Sequence, residues 1–187
     1  MSGTIYLCFL DGYTPSWGRQ LGPLVEEAFS RPVESQAFDV DLKTYYAPER
    51  RQYHATLILA RLLRDLPDPS SQIIGITSVD LFIPVLTFVF GQSQLDGPGA
   101  VISTYRLHNE FYGLPGDEGL LVERTVKEVL HELGHSFGLV HCPDYTCLMK
   151  AATDIGDVDL KGQVFCTDCR TQLQENDRRR TAASVRP

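Results

Sequence analysis

The twenty residues 131–150, HELGHSFGLVHCPDYTCLMK, constrain this chain more than any other stretch. His131 and His135 are four apart. On a helix both imidazoles leave one face, a turn apart, and can reach a single ion. Val122, Val126, Val129, Leu133 and Phe137 recur at helical spacing, which predicts a helix over about residues 118–137. Gly138 suits the left-handed turn that ends such a helix. The chain can then come back so that His141 supplies a third nitrogen. Any fold for this sequence must let a long helix and the bend after it enclose one point.

Three neutral imidazoles with an open fourth position suit a catalytic Zn²⁺, with Zn–N distances of about 2.0–2.1 Å. Such an ion lowers the pKa of its water toward ~7 and polarises a carbonyl. Glu132, beside the first ligand, is the natural general base for that water. A bare H-E-x-x-H arises by accident; Gly138, His141 and Met149 at further offsets make the signature far more specific. A carboxylate-bridged di-iron site is the competing reading, because Glu128 and Glu132 lie three positions before His131 and His135. It needs a second Glu-x-x-His. His54, His108 and His141 have Arg51, Tyr105 and Gly138 at that place instead.

The cysteines begin where the histidines stop. Cys142-x4-Cys147 and Cys166-x2-Cys169 are two ligand pairs, and four thiolates suit a closed tetrahedral structural zinc. The segment AATDIGDVDLKGQVF between the pairs has few apolar residues for a core of its own, so a metal staple would be useful there. One or two disulfides are the alternative. Adjacent residues of an extended segment point to opposite sides, so His141 and Cys142 can serve two ions. Loss of the structural ion would then misplace His141. Cys8, in an apolar run, reads as a small core residue.

The remaining sequence reads as one mixed α/β domain. Strands are expected at 4–10, 36–40, 73–82, 86–94 and 99–107, and helices at 24–31 and 49–65, the latter opened by Pro48. Helices would pack on a single twisted sheet. Residues 1–170 form the expected domain, with an upper part over about 1–138 and a lower, zinc-stapled part over 139–170. Residues 171–187 have little apolar content and are expected to fray or lie on the surface, with Arg178 to Arg180 a solvated charge run.

The net charge of −7 argues against a nucleic-acid partner. The most apolar run, VDLFIPVLTFVFG, is interrupted by Asp80 and Pro84 and is too short to span a membrane. MSGTIYLCFLDG lacks the basic and long apolar regions of a secretory signal. A cytoplasmic protein is expected, where clustered cysteines hold metal more often than they form disulfides.

HELGHSFGLVH fits the H-E-x-x-H-x-x-G-x-x-H signature of metzincin metallopeptidases, and the cysteines that follow, with Met149 among them, resemble the archaemetzincin branch. The similarity runs upstream through GITSVDLFIPVLTFVFGQ and VISTYRL, covering about residues 73–170. The resemblance implies a metzincin-like zincin fold, with a twisted sheet and helices above a cleft and a smaller part below it. It implies a peptide or protein substrate, His131, His135 and His141 as catalytic zinc ligands, Glu132 as general base or acid, and Met149 in the turn beneath the metal; with the cysteine pairs, two Zn²⁺ per chain are expected. That turn reads CLMK, with a cysteine just before the methionine, unlike better-known metzincins. The resemblance also implies an edge strand at 86–94 for an extended substrate; a central strand buried on both faces fits its apolar run too. Tyr145 and His108 are candidates to stabilise an oxyanion, with simple packing the alternative for Tyr145, and His54 reads as a structural or surface residue. A zinc-stapled peptide binder without turnover is the alternative function.

Overall fold

The computed structural model describes residues 3–68 and 70–184. In chain order the elements are β1 (Ile5–Leu10), α1 (Leu21–Phe29), β2 (Val33–Phe38), β3 (Tyr46–Ala47), β4 (Gln52–His54), α2 (Ala55–Arg64), β5 (Gln72–Thr77), β6 (Leu81–Phe82), β7 (Gly91–Ser93), β8 (Gly99–Ser103), α3 (Glu118–Ser136), α4 (Ile155–Leu160) and α5 (Thr167–Ser184). The main sheet has the order β2-β1-β5-β8-β7. Its first four strands are parallel, and β7 closes one edge antiparallel to β8. A small second sheet has the order β3-β4-β6.

The central strands β1, β5 and β8 are buried on both faces, as a parallel sheet covered by helices requires, while the edge strand β2 is largely exposed. Alternation along β1 sends Ile5, Leu7 and Phe9 to one face, where Leu21, Val25 and Phe29 of α1 and Val129 and Leu133 of α3 pack. Cys8 and Leu10 face the other way, onto Ile58, Leu59 and Leu62 of α2. Cys8 is therefore the small core residue the sequence suggested. The first core cluster continues past α3 into Leu139, Cys147, Leu148, Met149, Val158, Phe165 and Leu173. The C-terminal third thus packs into the same core as the sheet. No helix among the described residues is long and apolar enough to cross a membrane.

Several boundaries shift by two to four residues, with α1 at Leu21–Phe29 for 24–31, β2 at Val33–Phe38 for 36–40 and β8 ending at Ser103 for 99–107, and four expectations change further. The helix expected over 49–65 starts only at Ala55, because Tyr46–Ala47 and Gln52–His54 pair in the small sheet and Tyr53 lies opposite Leu81. The expected strand 73–82 is two strands in two sheets. Only residues 91–93 of the run 86–94 form a strand; Leu86 turns back to the Ile83 carbonyl, and Arg50 donates to the carbonyls of Leu86 and Thr87.

The fourth is the tail. Residues 171–184 continue α5 and dock on the domain rather than fraying. Leu173 and Asn176 are buried, Arg31 pairs with Asp177 at 2.5 Å, and Arg180 pairs with Asp96 at 2.7 Å. Asn176 Nδ2 donates to the Phe137 carbonyl at 2.8 Å, and Arg180 donates to the Ser136 carbonyl at 2.5 Å. These are carbonyls at the C-terminal end of α3, where the helix itself offers no partner. Through Arg180 the arginine run is therefore in part a capping device, while Arg179 donates to Asn176 Oδ1 within α5.

Candidate metal centre

Asp117 caps α3, its carboxylate accepting from Leu120 N, and the helix runs unbroken from Glu118 to Ser136. It lies against β8 and β7, so its middle is sealed on the sheet side. Phe137 closes it, and Gly138, at φ +86°, turns the chain. The turn brings His141 back to α3. His131, His135 and His141 each offer one ligand atom, and these atoms lie within 4.8 Å of one another.

Both helix imidazoles are oriented by backbone carbonyls. His131 Nδ1 lies 3.0 Å from the Leu148 carbonyl, and His135 Nδ1 lies 2.7 Å from the Leu139 carbonyl. A carbonyl only accepts, so each Nδ1 carries the hydrogen and each Nε2 keeps its lone pair. The two Nε2 atoms stand 3.1 Å apart. Two nitrogens bound to one tetrahedral zinc stand about 3.3 Å apart, given Zn–N distances of about 2.0–2.1 Å. Burial pushes the His131 imidazole well below the ordinary histidine value, and the charge of Lys161 acts in the same direction. Burial lowers His135 and His141 as well. The donor set therefore favours neutral imidazoles. His131 is buried and His141 exposed, so the cluster is open on one side.

Met149 lies beneath α3, fully buried. A Cβ placed on Gly134 would meet its sulfur at 2.5 Å, which explains a glycine in the middle of this helix. Glu132 is buried on the sheet side. Burial pushes its carboxyl up to about 8, opposed by a hydrogen bond from Ser93 Oγ to Oε2 at 2.6 Å.

Cys142, Cys147, Cys166 and Cys169 form the second group, again with ligand atoms within 4.8 Å of one another. All are free thiols. Cys142 and Cys166 sulfurs stand 3.9 Å apart; the sulfurs of a tetrahedral zinc site stand about 3.8 Å apart, given Zn–S near ~2.3 Å, whereas a disulfide needs about 2.05 Å. The backbone N–H groups of Met149 and Cys166 donate to Cys147 Sγ at 3.4 Å each. A backbone hydrogen bond from Cys169 leads the causes that hold the Cys166 thiol below its ordinary value. Burial raises Cys147. With Cys147 buried and the other three half-buried, four thiols around one point fit a closed thiolate site.

The other candidates stay outside both groups. Tyr145 is 77% exposed beneath the Lys150 ammonium, whose nitrogen is 4.1 Å from the ring centroid. His108 lies at the surface beside Glu110, at 3.6 Å. His54 packs its ring on Phe82. Glu128, the residue behind the di-iron alternative, forms a buried ion pair with Lys161 at 2.7 Å.

Sequence reasoning missed that pair, which sits one turn before His131. Beside it Arg124 pairs with Asp159, and Lys127 donates to the Val158 and Asp159 carbonyls, fastening α4 to α3. Ser93 was missed too, because its partner is thirty-nine positions away in the chain.

A family model described as peptidase family M54 matches residues 39–175. The archaemetzincin of Methanocaldococcus jannaschii is 42% identical over 137 residues, which is 73% of this chain and 74% of that one. The archaemetzincin of Thermococcus kodakarensis is 37% identical over 174 residues, 88% of this chain and 92% of that one. Among solved structures, an archaemetzincin from Methanopyrus kandleri superposes with a TM-score of 0.81 at 36% identity, covering 93% of this chain and 94% of that one. A zinc-dependent peptidase from Methanocorpusculum labreanum gives 0.77 at 29% identity, covering 90% and 99%. The mixed α/β architecture is thus metzincin-like.

Proposed function

The chain belongs to peptidase family M54, as a zinc metallopeptidase, and on that premise we propose that it cleaves peptide bonds with Glu132 as its proton carrier. The observation that carries this reading is the convergence of His131, His135 and His141 on one point that is open to solvent on the His141 side. These three residues would hold the catalytic zinc. When bound, zinc supplies Lewis-acid chemistry, lowering the pKa of solvent and polarising a carbonyl.

Glu132 takes a proton from the attacking water and returns it to the leaving amine. Its high proton affinity in the buried pocket suits a group that must both accept and give up a proton near neutrality. The peptide backbone lies along β7, the edge strand nearest Glu132, by strand addition. Cys142, Cys147, Cys166 and Cys169 would hold a second, structural zinc that fastens the C-terminal part. A cytoplasmic location completes the reading, since cysteines clustered as metal ligands suit a reducing compartment.

Glu132→Ala tests it. The variant should keep the metal content of the wild type and lose peptide hydrolysis. Turnover equal to wild type would remove Glu132 from the reaction. A wild-type protein that binds peptides at full metal content without cutting them would be a zinc-stapled binder instead.

A further inference from the structure

β7 is three residues long, and two of them meet a single side chain. The Ser93 hydroxyl donates to Glu132 Oε2 at 2.6 Å. A Cβ on Gly91 would stand 2.6 Å from Glu132 Cγ and 2.8 Å from Oε1, so only glycine leaves that space. Gln92, between them, faces the opposite side of the sheet, where its amide oxygen accepts from Thr56 Oγ1 at 3.0 Å.

The backbone alternates as well. The Phe90 carbonyl accepts from Ser103 N, and Gln94 N donates to the Gly99 carbonyl. The even-numbered residues therefore bond to β8. In an antiparallel ladder the intervening residues turn their N–H and C=O the other way. For Gly91 and Ser93 that is the free edge of the sheet.

Building on the hydrolytic reading above, we propose that Ser93 is a positioning residue for Glu132. With Gly91 it makes β7 one device that both seats the proton carrier and presents backbone hydrogen-bonding groups to the substrate. Anchoring Oε2 through Ser93 leaves Oε1 for proton transfer. The register of a peptide against β7 and the place of the carboxylate are then fixed by the same two residues. A carboxylate that could swing away would meet the attacking water in productive geometry only part of the time.

The test uses the zinc-loaded protein and the substitutions Ser93→Ala and Ser93→Thr. Ser93→Ala should lower kcat about 10–100-fold and leave KM within about twofold, with metal content and melting temperature unchanged. Ser93→Thr keeps a hydroxyl and should restore most of kcat. A readout independent of turnover is the crystal structure of each variant: Glu132 should leave its wild-type rotamer in Ser93→Ala and hold it in Ser93→Thr. Unchanged kcat with Glu132 in place would overturn the proposal, as would stability or metal lost in step with activity. If the wild type itself cleaves no peptide, the hydrolytic reading fails, while the crystallographic comparison still decides whether Ser93 seats Glu132.

Discussion

His141 and Cys142 share one peptide bond and belong to different donor groups: the imidazole joins His131 and His135, and the thiol lies 3.9 Å from Cys166 Sγ. The Cys142 N–H donates to the Met149 carbonyl at 2.9 Å, so the peptide between the two groups is itself fixed.

That link predicts that damage to one group reaches the other. Cys169→Ser removes a thiol far along the chain from His141. We expect one equivalent of zinc to be lost, and peptide turnover to fall about tenfold or more although no imidazole has changed. Elemental analysis beside a turnover assay reads both. Full turnover at reduced zinc content would show the groups to be uncoupled.

The imidazoles also set an acid limit. An unfolded imidazole titrates near ~6.5, and burial holds His131, His135 and His141 below that value in the fold. The neutral form is favoured by folding, so this contribution is full above the unfolded value and is lost as pH falls through the lower folded one. Protons compete with metal for the same lone pairs. Zinc content measured after dialysis should therefore hold at about pH 6.5, where half of free imidazole is protonated, and fall below it. Half of the histidine-bound zinc lost already at that pH would contradict the folded-state shifts.

A third expectation concerns the buried pair Glu128 and Lys161, at 2.7 Å. Removing one charge strands the other away from water. Lys161→Met should cost about 3–5 kcal/mol of stability. Adding Glu128→Leu should recover a large part of that, because an apolar pair of similar volume costs no desolvation of charge. Denaturant unfolding of both variants measures the difference. A double variant no more stable than the single one would show that the pair is not self-contained.

How much of this the sequence showed depends on the kind of force involved. α3 was legible nearly to the residue, expected at 118–137 and found at Glu118–Ser136, because one face is apolar at strict spacing and a glycine ends it. Both donor groups were legible for a related reason, since ligand chemistry restricts spacing. The start of α2 was not, because Tyr53 is held as strand by Leu81, a pairing that no local pattern records. Residues 86–94 read as one strand on apolar content, yet Arg50 folds the first part into a turn through two carbonyls. The most instructive case is α5. Much of its anchoring is polar, through Asn176, Asp177 and Arg180, and a search for apolar periodicity is blind to a helix docked by hydrogen bonds.

That docking also bears on order in time. During synthesis, His131, His135 and His141 are added to the chain before Asn176 and Arg180. Until then the Ser136 and Phe137 carbonyls lack the side-chain donors that cap them in the finished fold. The helix that carries two of the three imidazoles is thus finished at its C-terminal end only by a segment made after it.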